Sequence, residues 1–293
     1  MMNYFNSYEG LSFKILDGNI KIRDFLVQNG LSSRFIRGSI EEENIYLNGE
    51  KIYRNELLRE NDELFVKFSD ESLNAKVQHG KLDIIYEDDD IVVVNKPPYM
   101  VTHTAKDDVE NTLLNFVAGY FEDNKIRRKV RIVNRLDRDT SGIVIVAKNS
   151  FSHSSIQEQF GDSVKKEYVA IVNGIIKNDS GIIEKPIDIA KDGIRRIVSP
   201  DGKYSKTSYE VIKRNDFFTL VKLRLYTGRT HQIRVHMSHM GTPILGDALY
   251  GSTSNLILRQ ALHCYEMEII HPRTKKLLKF IAPVPKDMEN IVR

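Results

Sequence analysis

Between residues 21 and 68 the apolar positions change period, from helical to alternating. Ile22, Phe25 and Leu26 fall at i, i+3 and i+4, which predicts one face of a helix. Gly30 stands where that helix would end, at the left-handed cap position. Ser32 or Ser33 then caps a second helix that carries Ile36 and Ile40. Next, Ile45-Tyr46-Leu47 and Glu50-Lys51-Ile52-Tyr53 flank Asn48-Gly49, a two-residue hairpin signal. Asn61-Asp62 marks a further turn, and residues 64–68 read as a strand. This predicts a first unit over residues 1–70, two helices and a small antiparallel sheet behind a short N-terminal extension. Residues 71–81 are polar, aperiodic and contain Gly80, which predicts a linker.

From residue 82 the texture changes. Short β-prone runs dominate, at 84–86, 91–95, 130–133, 142–148, 168–173, 208–212, 219–225 and 267–270. Helical patterns are fewer: 112–121, 151–160 behind a Ser150 cap, and 232–239. Many strands with few, irregularly spaced helices predict an α+β unit over residues 82–293 with a mixed, mainly antiparallel sheet.

At 293 residues the chain has the length for two such units. It holds one cysteine, Cys264, so it can form neither an internal disulfide nor a cysteine-built zinc site. The first ten residues lack the apolar core of a signal peptide, and no run approaches the ~18 apolar residues of a membrane span. The expectation is a soluble protein of a reducing cytoplasm. A net charge of +3 excludes a histone-like polycation, but the charge is uneven. Residues 125–148 hold eight cations against two acids, and residues 195–234 hold ten against three. Residues 83–110 hold eight acids against two lysines. Two cationic stretches fit a polyanion groove or, equally, solvated strand edges.

Several chemistries are excluded by motif. No G-x-G-x-x-G is present, and Gly241-Thr-Pro-Ile-Leu-Gly246 is followed by Asp247 where a phosphate-binding loop needs lysine. His231 and His236 lie ~140° apart around a helix, so only His236 and His239 share a face, too few for a metal site. No G-x-S-x-G occurs, and Cys264 reads as a buried structural thiol.

One stretch does concentrate chemistry: Asn134-Arg135-Leu136-Asp137-Arg138-Asp139-Thr140-Ser141-Gly142, followed by an apolar strand. A carboxylate sits among arginines on a loop, and loops held by a rigid sheet are where reactive side chains are usually placed. A surface salt-bridge cluster would leave the same trace. The stretch resembles the catalytic motif of the RluA-type pseudouridine synthases, H/N-R-L-D-x-x-T-S-G, with Asn134 where histidine is commoner. Three more stretches match that family in order. They are Asn95-Lys96-Pro97 through His103, with Tyr99 where glycine is usual, Lys166-Glu167-Tyr168-Val169-Ala170, and Gly228-Arg229-Thr230-His231-Gln232-Ile233-Arg234-Val235-His236 with Gly241 to Gly251 behind it. Together they span about residues 84 to 283.

The resemblance implies an isomerase that breaks the bond from ribose C1′ to uracil N1 in RNA and rejoins the base through C5. No electrons or external groups are exchanged, so no cofactor and no metal are expected. It marks Asp137 as catalytic, Tyr168 as the active-site tyrosine and Arg229 as the arginine that holds and orients the carboxylate. Arg135, Arg138, His231 and Arg234 are then expected to contact RNA. The first unit resembles the alpha-L RNA-binding motif, the S-four domain, with Arg23, Arg34, Arg37 and Lys51 on its RNA face and the acids at 41–43 turned away. The expected partner is ribosomal RNA of the large subunit, or transfer RNA, with neither DNA nor membrane involved, and the expected state is a monomer. A non-catalytic RNA-binding protein on the same fold is the alternative.

Overall fold

In the computed structural model, which describes residues 8–104, 109–161 and 164–292, the chain starts on a small sheet. Its elements are β1 (Gly10–Lys14), β2 (Ile20–Lys21), α1 (Ile22–Gln28), α2 (Ser33–Glu41), β3 (Ile45–Leu47), β4 (Glu50–Lys51), β5 (Leu57–Leu58) and β6 (Glu63–Lys67). The four-stranded sheet runs β1-β6-β3-β4, with β2 and β5 paired beside it. Ser32 caps α2 by accepting the Phe35 N–H at 3.2 Å. Asn48 and Gly49 both take positive φ, as the tight hairpin between β3 and β4 requires. The expected N-terminal extension is corrected here: residues 10–14 form β1, antiparallel to β6, and alternate Leu11, Phe13 and then Ile15 into the core. That period-2 pattern was present in the sequence.

The segment 71–81 is not a free tether. Glu71 pairs with Arg131 at 2.6 Å, and Asn74 exchanges two hydrogen bonds with the Val130 backbone. Leu73, Ala75 and Val77 pack on the larger core. The strap passes so close to the next helix that a Cβ on Gly119 would lie 2.2 Å from the Gln78 carbonyl oxygen.

The second unit contains β7 (Ile84–Glu87), β8 (Ile91–Lys96), α3 (Leu113–Asp123), β9 (Arg131–Ile132), β10 (Ser141–Ala147), α4 (Ser150–Gln159), β11 (Lys165–Asn173), β12 (Ser180–Glu184), β13 (Ile187–Ile189), β14 (Arg196–Val198), β15 (Lys206–Arg214), β16 (Phe218–Leu225), α5 (Gln232–His239), β17 (Leu262–Ile270), β18 (Leu277–Ile281) and α6 (Lys286–Val292). Its ten-stranded sheet has the order β12-β15-β16-β11-β17-β10-β8-β7, with β18 on β17 and β9 on β10. All ladders are antiparallel except β10 with β17. At that parallel crossing Gly142 has φ +115°, and a Cβ there would stand 2.2 Å from the Cys264 carbonyl oxygen, so only glycine fits. All seven residues of β10 are buried, which is why the run reads as continuously apolar. The cap of α4 is Asn149, one residue before the expected Ser150: its side chain accepts the Ser152 N–H at 2.8 Å.

The two units are bolted together. Arg273, between β17 and β18, is almost fully buried, holds Asp90 by two bonds of 2.7 and 2.9 Å, and donates to the Gly10 carbonyl of β1 at 2.7 Å. Phe151 of α4 packs into the core of the N-terminal unit.

Candidate active site

The loop from β9 to β10 carries Asp137 into a cavity of about 610 Å³. Its walls come from β11, the end of β16 and the start of α5, and include Tyr168, Arg229, His231 and Arg234. The loop is held from several sides. Asn134 is buried and clamps it to β10, donating to the Ile143 carbonyl at 3.0 Å and accepting the Ile145 N–H at 2.8 Å. An asparagine here is thus a backbone clamp. Thr102 accepts the Leu136 N–H and donates to the Leu136 carbonyl. The Asp137 carbonyl accepts the Thr140 N–H at 3.1 Å, closing a turn. Fully buried Lys96 donates to the carbonyls of Pro97, Met100 and Arg138 at 2.8, 2.8 and 3.1 Å. Burial pulls its ammonium down to about 7, while Asp139 and Asp137 pull it up. Arg259, also buried, reaches the Asp139 carbonyl from the other side.

The cation on Asp137 is Arg234, not Arg229. Arg234 Nη1 donates to Asp137 Oδ2 at 3.0 Å. Its Nε and Nη2 form a fork on Asp247 at 2.7 and 2.9 Å, and its guanidinium lies over the Tyr250 ring at 4.9 Å. Asp247 is buried, so the fork fixes the guanidinium in place. Arg229 is exposed at the cavity mouth, where its Nε donates to the Tyr204 carbonyl at 3.1 Å. The expectation that Arg229 orients the carboxylate is therefore corrected. The physical reason is helical geometry: α5 begins at Gln232, so Arg234 rides its first turn toward the Asp137 loop, while Arg229 precedes the helix. Both arginines lie in the matched motif, and sequence alone did not separate them.

Tyr168 reaches the cavity from β11, where the register slips between Glu167 and Tyr168 in the pairing with β17. It is buried, and its hydroxyl lies beside the Cys264 thiol. Burial holds the phenol well above its ordinary value and pushes Cys264 up to about 12, so both keep their protons at neutral pH. Lys166, two residues before Tyr168, also lines the cavity, nearly buried, with its ammonium 5.3 Å from the centre of the Phe160 ring. Burial lowers its pKa. Sequence reading passed over Lys166, Asp247 and Tyr250, although all three lie in the matched motifs.

The remaining expected contacts divide. Arg135 is exposed and lines the cavity. Arg138 is exposed but forks onto Asp139 at 2.8 and 3.0 Å. Arg234 is buried between two carboxylates and His231 faces Asp137 Oδ2 at 3.7 Å, so neither presents itself on the outer surface. Arg23, Arg34 and Arg37 are exposed on the N-terminal unit. Lys51 meets Glu43 at 3.4 Å, so Glu43 shares its face and is not turned away. His236 is buried between the Thr207 hydroxyl and the Lys185 carbonyl, a packing role, while His239 is exposed. Asp88, Asp90 and His271 have ligand-type atoms within 4.8 Å of one another. Their oxygens are already taken by Arg273, Asn149, Ser152, Tyr86 and His271 itself, which makes this an ion-pair network. Among the described residues no helix is long and apolar enough to cross a membrane.

The family model described as RNA pseudouridylate synthase matches residues 90–239, which include Asp137, Tyr168 and Arg234. The chain is 38% identical over 277 residues to the uncharacterized RNA pseudouridine synthase YjbO of Bacillus subtilis, covering 93% of this chain and 98% of the relative. It is 35% identical to the ribosomal large subunit pseudouridine synthase D of Buchnera aphidicola subsp. Schizaphis graminum, covering 85% of each. Among solved structures, human RNA pseudouridylate synthase domain containing 1 superposes with a TM-score of 0.59 at 27% identity, over 71% of this chain and 86% of that one.

Proposed function

The chain belongs to the RNA pseudouridine synthases, isomerases that convert uridine to pseudouridine in RNA, and from that premise we propose that Asp137 performs the chemistry and that large-subunit ribosomal RNA is the substrate. The observation that carries the first part is the Asp137–Arg234–Asp247 chain at one wall of the cavity. An arginine fixed by a second, buried carboxylate presents one N–H to Asp137 Oδ2 and so fixes where that carboxylate points. The Asp137 carboxylate is thereby placed before any base arrives, which is the preorganisation that electrostatic catalysis needs. The Tyr168 ring offers a flat apolar face for uracil, and its hydroxyl remains a protonated donor. A target uridine must leave its stack to enter, at a cost of a few kcal/mol that phosphate contacts offset. Arg135 and Arg229 at the mouth supply such contacts, with Arg23, Arg34 and Arg37 of the N-terminal unit further out.

The ribosomal assignment is supported by relatives named ribosomal large subunit pseudouridine synthase D. Mapping pseudouridine in total RNA from cells with and without the gene tests it. Loss of a site in large-subunit ribosomal RNA, restored by wild type but not by Asp137→Asn, is the expected outcome. Loss confined to transfer RNA would replace the substrate, and restoration by Asp137→Asn would remove Asp137 from the chemistry.

A further inference from the structure

Beside the Asp137–Arg234 pair stands a second chain of groups. Tyr250, at the end of the short 3-10 helix Ala248–Tyr250, accepts the Arg196 backbone N–H of β14 at 2.8 Å. The same hydroxyl lies 2.8 Å from His231 Nδ1. The other ring nitrogen, Nε2, faces Asp137 Oδ2 at 3.7 Å. His231 itself has left-handed backbone geometry, φ +56°, immediately before α5. A non-glycine residue held there is strained, and strain of this kind clusters at functional sites.

A backbone amide can only donate, so the Tyr250 oxygen accepts from Arg196. Its phenol proton is directed at His231 Nδ1 when that nitrogen is unprotonated, whereas the oxygen's second lone pair would accept if Nδ1 carried the proton. The charge on the other side of the ring decides between the two. In the opposite tautomer the Nε2 lone pair would point at the Asp137 carboxylate, two concentrations of negative charge face to face. The groups around the ring are Asp137, Asp247, Arg234, Arg196 and Tyr250, and burial lowers the imidazole pKa against the pull of Asp137.

We propose that Tyr250 fixes His231 as the Nε2–H tautomer, and that His231 and Arg234 together load one oxygen of Asp137, Oδ2, leaving Oδ1 for the uridine. Among the described residues no hydrogen bond reaches Oδ1. At 3.7 Å the Nε2 contact is longer than a hydrogen bond, and catalytic hydrogen bonds tighten in the substrate complex. His231 and Tyr250 are thus positioning residues that act through Asp137. Because β14 supplies the amide that turns the Tyr250 hydroxyl, the β13–β14 hairpin is tied to the reacting carboxylate. The inference rests on Asp137 being that carboxylate.

Nitrogen NMR of the full chain labelled at histidine reads the tautomer without reference to activity, with the His231 signals identified by their loss in His231→Gln. In wild type at pH 7, Nδ1 should carry the shift of an unprotonated nitrogen and Nε2 that of a protonated one. Tyr250→Phe should move both toward a mixture. A wild-type Nδ1–H or an imidazolium at pH 7 overturns the proposal. On RNA that the wild type modifies, Tyr250→Phe should lower kcat about tenfold with KM within about twofold. His231→Ala should lose more, and His231→Gln, which keeps an N–H donor near the Nε2 position, should recover most of that loss. Equal losses in the alanine and glutamine variants would instead make the ring a proton carrier and overturn the positioning role. Asp137→Asn run alongside separates the premise: if it stays active, the carboxylate assignment fails whatever His231 does.

Discussion

Arg234 directs three of its five N–H donors at carboxylates: a fork on Asp247 and one bond on Asp137. A lysine has one ammonium on a flexible stem and cannot serve both in that geometry. Arg234→Lys is therefore expected to lower kcat by about 100-fold, the scale of losing one preorganised electrostatic contact. Arg229→Ala should behave differently. Its guanidinium stands exposed at the mouth and, among the described residues, hydrogen-bonds only the Tyr204 carbonyl, so on the proposed function its contact with RNA would be the same before and during reaction. A rise in KM with kcat within a few-fold is expected. Steady-state kinetics on one RNA substrate distinguishes the two arginines, and equal kcat losses would contradict the distinction.

The element that carries Asp137 is short, and its rigidity comes from its neighbours. The seam where β10 leaves the loop is closed by His263 of β17, which accepts from the Ser141 hydroxyl through Nδ1 at 2.9 Å and donates to the Ala282 carbonyl through Nε2 at 3.1 Å. Burial lowers its pKa to about 4, against an ordinary value near 6.5. Between those values the unfolded chain binds more protons than the folded one, so stability is complete above about pH 6.5 and declines as pH falls through 4. The contribution is about 3 kcal/mol at most. Denaturant unfolding of wild type and His263→Gln at pH 7, 5.5 and 4 checks this. The two stability curves should converge as the pH falls, and a difference that stays constant would dismiss the linkage.

At the scale of the whole molecule, one buried pair joins the N-terminal unit to the catalytic one, alongside Phe151. Arg273 satisfies Asp90 and reaches the Gly10 carbonyl of β1 in the other unit. Removing the arginine leaves a charged carboxylate nearly without solvent, and such broken pairs cost about 3–5 kcal/mol. Arg273→Met should lower stability by that amount and speed amide exchange across residues 10–14. The double variant Asp90→Asn with Arg273→Met should recover part of the loss, because the stranded charge is gone. Exchange in β1 that matches wild type would show that the Gly10 contact does not hold the units together.

Much of this protein was legible in its amino-acid order, because local rules act over a few residues. Helical spacing placed α1, α2, α3 and α5, Asn48-Gly49 placed the hairpin, and the ordered motifs around Asp137, Tyr168 and Arg234 resembled one family. Short strands such as β12 to β14 and β18 escaped, since a few mixed residues carry no period. The role of Arg234 escaped for another reason. Asp137 and Arg234 stand 97 positions apart, and Arg234 and Arg229 share one motif, so only the packing of α5 against the β9–β10 loop could say which guanidinium meets the carboxylate. The strap at 71–81 and the Arg273 bolt belong to the same class. Their ties to Val130, Arg131 and Gly10 span 56 or more positions, and contacts across that distance exist only once the sheet has formed.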